Sequence, residues 1–303
     1  MTWPTDGGVV EQSAGPHLSV SRPVDEGDER PGSSPGANGD SPVAVSVFAL
    51  GRIEARFPSL AVEKEFVRAA YRLRVEDFGG PQVVQAVLAD PTNRYLAREM
   101  GWALIVGGLE AYTLVPRDPA DLDLLIGAGR PDPRPVNVDV VIGTRGPLAP
   151  SKRCNGLQLP TVTVDHAVPY PGAELAEGVL RSRAAASEEG DGFRTAAEAV
   201  LGRILLMPNN VGATDEHRAV NYLAVRCPAL YAQTTECRRR HEELTAVEAR
   251  PPRPYGDRKI VEVVFTFTGG AADARHDYSA WVDVTEKFPF VVSPLQPSRG
   301  AGW

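Results

Sequence analysis

The densest group of chemically capable side chains is the run GATDEHRAVNYLAVRCP, residues 212–228, where Asp215, Glu216, His217 and Arg218 fall in the first turn of an expected helix. An imidazole beside carboxylates can act as a general base or as a metal ligand oriented by a neighbouring acid. The same residues have a plainer reading: acids stabilise a helix start through the dipole, and Arg218 pairs with one of them. Cys154 stands beside Lys152 and Arg153 in SKRCNGLQLP, and cations lower a thiol pKa towards a reactive thiolate. A nucleophile there needs a base brought close by the fold, with His217 and His166 the choices. Otherwise Cys154 is a small buried residue at a strand end.

Zinc is the one cofactor the residues leave open. Its ligands would come from Cys154, His166, His217, His241 or His276, none of them at ligand-pair spacing. Cys237 and His241, four apart on an expected helix, come nearest. Arg52, Glu54 and Arg56 alternate along one strand face, where they can bind a polar peptide, as Arg218 can, or form exposed ion pairs. Arg238, Arg239 and Arg240 suit either an acidic ligand or the C-terminal end of a helix. Phosphate loops, dinucleotide fingerprints and a G-x-S-x-G elbow do not occur. The residues therefore assign no reaction.

These side chains need elements to hold them. VAVSVFALGRIEARFP predicts one or two strands ending at Pro58, and Ser59 caps a helix with Val62, Phe66, Ala69, Ala70 and Leu73 on one face. Short helices follow from Pro81 and from a Thr92 or Asn93 cap. Residues 102–115 read as strand, bend and strand around Gly107-Gly108, then a loop with one turn of helix. Residues 136–143 and 156–165 read as strands, and 184–193 as a flexible hinge between possible subdivisions. A capping box, Thr195 to Glu198, opens a helix. Further helices start at Thr214 and Pro228, and LTAVEA, KIVEVVFTFT and YSAWVDVT end the chain as an antiparallel meander. The expected class is α+β: helices packed on a mainly antiparallel sheet.

The 303 residues carry 32 basic and 39 acidic side chains, a net charge of -7. Seven acids and two arginines within residues 1–42 supply five of those charges, leaving -2 for the rest. That Gly-, Pro- and Ser-rich tail cannot bury enough apolar surface to offset ordering entropy and is expected to be disordered. The balance excludes a general nucleic-acid binder, which needs a basic face. Three cysteines form no disulfide framework, and no segment reads as a signal peptide or membrane span, so a cytoplasmic protein is expected.

Collinear segments carry a resemblance: VFALGRIEARFPSLAVEKEF, PTNRYLAREMGW, PRDPADLDLLI, DVVIGTRGPLAP, GATDEHRAVNYLAVRCPALY, LTAVEARPPR with RKIVEVVFTFT, and VDVTEKFPFVV. In this order they resemble the C-terminal domain of unknown function of the cyanobactin maturation proteins PatG and PatA, over residues 43–295. The resemblance implies a role in maturing ribosomally made, post-translationally modified peptides. No protease serine motif is present, so protease or macrocyclase activity is not implied, and the chain resembles a stand-alone form of the domain. The expected function is a non-catalytic accessory protein that binds a precursor peptide or pathway enzyme, with a homodimer through the terminal sheet as a further possibility. The alternatives are a peptide-modifying enzyme using Cys154 and His217, with or without a metal, and a structural dimerisation module.

Overall fold

A computed structural model of the chain describes residues 44–74, 81–128, 137–150, 158–171, 187–270 and 274–298. The tail expected to be disordered and Cys154 lie outside the described residues. The N-terminal half closes a five-stranded barrel from β1 (Ser46–Arg56), β2 (Gly101–Val106), β3 (Leu109–Pro116), β4 (Asn137–Leu148) and β5 (Pro160–Pro171). The order around it is β1-β2-β3-β5-β4, with β3 and β5 parallel and every other pair antiparallel. Strand β1 changes partner midway: its first half pairs with β4 and its second with β2. Gly51 sits at the change, where a Cβ would lie 2.4 Å from the Ile105 carbonyl oxygen, so only glycine allows the strands to close there.

Between β1 and β2 come α1 (Leu60–Arg72), α2 (Pro81–Ala89) and α3 (Arg94–Glu99); α4 (Leu122–Ala128) follows β3. Ser59 caps α1 as expected, its hydroxyl accepting from the Val62 amide at 3.3 Å. Before α3 the cap is Asp90, which starts a 3-10 turn. Asn93 instead points inward and donates to the Val87 carbonyl at 3.0 Å, because a buried amide needs a partner more than the short helix needs a cap.

Helices α5 (Ser187–Leu205), α6 (Asp215–Arg226) and α7 (Pro228–Arg239) form the middle layer. Helix α5 starts eight residues before the capping box, at a Ser-Glu-Glu sequence suited to a helix start, so residues 187–193 of the expected hinge are helical. The final layer is a meander, β6 (Glu242–Tyr255), β7 (Arg258–Gly269), β8 (Ala274–Asp283) and β9 (Phe290–Pro297). Together these elements make the expected α+β class with its C-terminal meander.

Two cores share the barrel wall. Val47 and Ala49 of β1 and Val141 of β4 pack with α1–α4, whereas Phe48, Leu50, Val140 and Ile142 pack with α5–α7 and the meander. Burial on both faces explains why β1 and β4 read as almost continuous apolar runs. A polar clasp fixes the layers: Asn221 of α6 donates to the Phe48 carbonyl at 2.9 Å and exchanges hydrogen bonds with Asn210. Gly212 accepts from the Phe48 amide at 2.9 Å with φ of 73°.

Candidate functional site

Thr214 caps α6, its hydroxyl accepting from the His217 amide at 3.2 Å. Arg218 faces inward with only 5% of its side chain exposed. Its guanidinium donates to Asp215 at 3.3 Å, to the carbonyls of Val284 at 2.8 Å and Lys287 at 3.3 Å, and to that of Glu286. Burial lowers the Arg218 pKa while Asp215 opposes the shift. Asp215 also meets Lys259 at 3.1 Å. These groups therefore hold the turn between β8 and β9 against α6. Lys287 in that turn reaches Asp165 of β5 at 2.6 Å, which also accepts from Arg117. Burial raises the Asp165 carboxyl, but these cations outweigh it and hold the group below its ordinary range.

His217 is half-buried, and among the described residues its Nδ1 is buried without a hydrogen-bond partner. Desolvation lowers its pKa, with the Glu216 charge opposing. Cys227 and Cys237 are buried, and burial raises both thiols. Cys237 meets Gln233 and Arg240 rather than His241, which lies beyond the helix end with φ of 61°. Among the described residues, no three His, Cys, Asp or Glu side chains are grouped to hold a metal ion.

The stripe on β1 is a closed ladder: Arg52 and Arg56 each meet Glu54 at 2.7 Å, and Arg56 meets Glu110 at 2.9 Å. Burial raises the Glu54 carboxyl, but Arg56 and then Arg52 outweigh it and hold it below its usual range. The arginines ending α7 are similarly engaged, Arg238 with Glu243, Arg239 with Glu236 and Arg240 with Glu242. Glu242 also faces His276 at 3.2 Å.

Two features are not contained in any sequence motif. Asp139 of β4 is 4% exposed and accepts from the Ile53 amide at 2.7 Å, beside the point where β1 changes partner. Burial pushes its carboxyl up to about 7 against the Ile53 amide and Arg52. A period-2 reading places Asp139 in phase with Val141, an available sign of an inward acid.

The second feature is the outer edge of the meander. Strand β9 pairs with β8 on one side, and among the described residues no strand covers the other. Phe288 just before it and Phe290 and Val292 within it are 57%, 46% and 43% exposed, while Val291 and Leu295 pack inward. Arg258 lies 5.4 Å from the Phe290 ring centroid and pairs with buried Asp283, which fixes the start of the edge. An unpaired strand bordered by alternate apolar side chains can take another extended chain through backbone hydrogen bonds.

A family described as PatG Domain matches residues 46–234, more than half of the chain, and one described as PatG C-terminal matches residues 187–297. No curated protein matches the sequence. A solved structure, "PatG Domain of Unknown Function", is similar at 20% identity with a TM-score of 0.61, covering 84% of this chain and 98% of that one. At that identity the likeness shows the fold alone. No helix among the described residues is long and apolar enough to cross a membrane.

Proposed function

The chain belongs to the PatG Domain family, and from that premise we propose that it is a non-catalytic accessory module of cyanobactin-type peptide maturation. It takes an extended segment of the precursor peptide along β9, as a fifth strand of the meander. The observation that carries this reading is the β9 edge, bearing Phe288, Phe290 and Val292 and left unpaired among the described residues. Main-chain hydrogen bonds supply affinity that is indifferent to sequence, and the alternate apolar side chains supply selectivity. Pro294 and Pro297 cannot donate hydrogen bonds, which limits the length of chain the edge can pair. Such a mode suits a partner that must hold peptides of varied core sequence.

Titration with an unmodified cyanobactin-type precursor peptide tests the reading. Saturable binding is expected, and Phe288→Lys combined with Val292→Lys should weaken it at least about tenfold, since charges on an edge oppose strand addition. Both side chains are exposed, so the unfolding midpoint should change little. Absence of peptide binding by the unaltered protein would sink the proposal. A strand of a pathway enzyme and β9 of a second copy are competing occupants, recognised respectively by enzyme binding without peptide binding and by a molecular mass that rises with protein concentration.

A further inference from the structure

The two faces of the meander differ chemically, and β9 brings both of them to the edge. On the inner face Val263, Phe265 and Val282, with Val291 and Leu295 of β9, pack in the core with α5–α7. The outer face holds the residues in between, and across β6–β8 it is polar. There Arg250 meets Glu262 at 2.8 Å, and Thr266 donates to Asp277 at 2.7 Å. Towards the edge it turns apolar: Phe290 stands directly opposite Asp283, Val292 follows two residues on, and partly exposed Trp281 is in register with Ser293. We infer that the segment taken by β9 carries apolar side chains at two alternate positions, an aromatic one opposite Phe290 and an aliphatic one opposite Val292.

This rests on the reading of β9 as the peptide edge and adds the specificity of that edge. Successive side chains of an added strand point to opposite faces, so every second one stands over the outer face. Each then lies across from a β9 side chain at a Cβ separation of about 4.5–5.5 Å, within reach of direct packing. Phe290 and Val292 are two residues apart on β9, so they meet alternate residues of the bound strand whichever way it runs.

Phe290 sets the choice at the first position. The Arg258 guanidinium lies over its ring, and much of the ring remains exposed. That guanidinium is committed to the buried Asp283 carboxylate, so it offers a peptide carboxylate little, and it repels a peptide cation. An aliphatic side chain there gains burial against Phe290, whereas an aromatic one gains the ring pairing as well. Val292 has no ring to pair and offers burial alone, which an aliphatic side chain meets.

The test is titration of the full chain with dye-labelled peptides, read by fluorescence anisotropy. The probes are an unmodified cyanobactin-type precursor peptide, the short peptide Thr-Thr-Phe-Thr-Val-Thr-Thr, and its counterpart with serine in place of phenylalanine. The phenylalanine peptide should bind saturably and about fivefold to tenfold more tightly than the serine one. Phe290→Thr puts a strand-forming residue at an exposed position, so the unfolding midpoint should hold while the preference falls close to unity. Phe290→Tyr keeps a ring there and should retain the preference. Equal binding of the two short peptides, or a preference that survives Phe290→Thr, overturns the inference and leaves β9 as the peptide edge. Binding of the precursor with neither short peptide bound overturns it in the same way. Failure of all three to bind removes the underlying reading, and the inference with it.

Discussion

Asp139→Asn is expected to stabilise the protein at pH 8 relative to its effect at pH 4. The unfolded carboxyl titrates near 3.8, and burial moves the folded one to about 7. Below the unfolded value both states hold the proton, and the group contributes no difference. As pH rises between the two values the unfolded state releases its proton while the folded state keeps it, so stability falls. Above the folded value the full penalty, on the order of 4 kcal/mol, is in place. Asparagine has no charge to desolvate, and its carbonyl oxygen can still accept from the Ile53 amide, although its new N–H group needs a partner. Urea unfolding of both proteins across this range should give a stability difference that grows with pH. A constant difference would remove Asp139 as its source.

Arg218→Ala is expected to lower stability by about 3–5 kcal/mol, read from the urea midpoint. The loss comes from the Val284, Glu286 and Lys287 carbonyls and the Asp215 carboxylate, which all accept from this one guanidinium. Arg218→Lys keeps the charge but cannot reproduce the fork and should recover only part of the loss. Because that turn leads into β9, both substitutions should also weaken peptide binding under conditions where the protein remains folded. A full recovery by lysine would mean that the charge alone, without its geometry, holds the turn.

Much of the local structure is legible in the residues. Thr214 followed by two acids marks the start of α6, Ser59 that of α1, and the spacing of Arg52, Glu54 and Arg56 anticipates their ion pairs. Barrel closure is less visible because it depends on β3 meeting β5 in parallel, a pairing between residues about fifty apart that no local pattern encodes. Strand β9 escapes a strand reading because Pro289, Pro294 and Pro297 argue against a central strand, yet prolines are tolerated at an edge. Arg218 shows the converse limit: its type and position are plain in the sequence, but its carbonyl partners lie some seventy residues away.

The central claim is that β9 accepts an extended peptide. Amide hydrogen exchange of the full chain, with and without an unmodified cyanobactin-type precursor peptide, tests it most directly, since a new strand protects the backbone N–H groups it engages. The account predicts added protection within residues 290–297, with the barrel strands unchanged. Peptide binding that leaves exchange in β9 unaltered would contradict it.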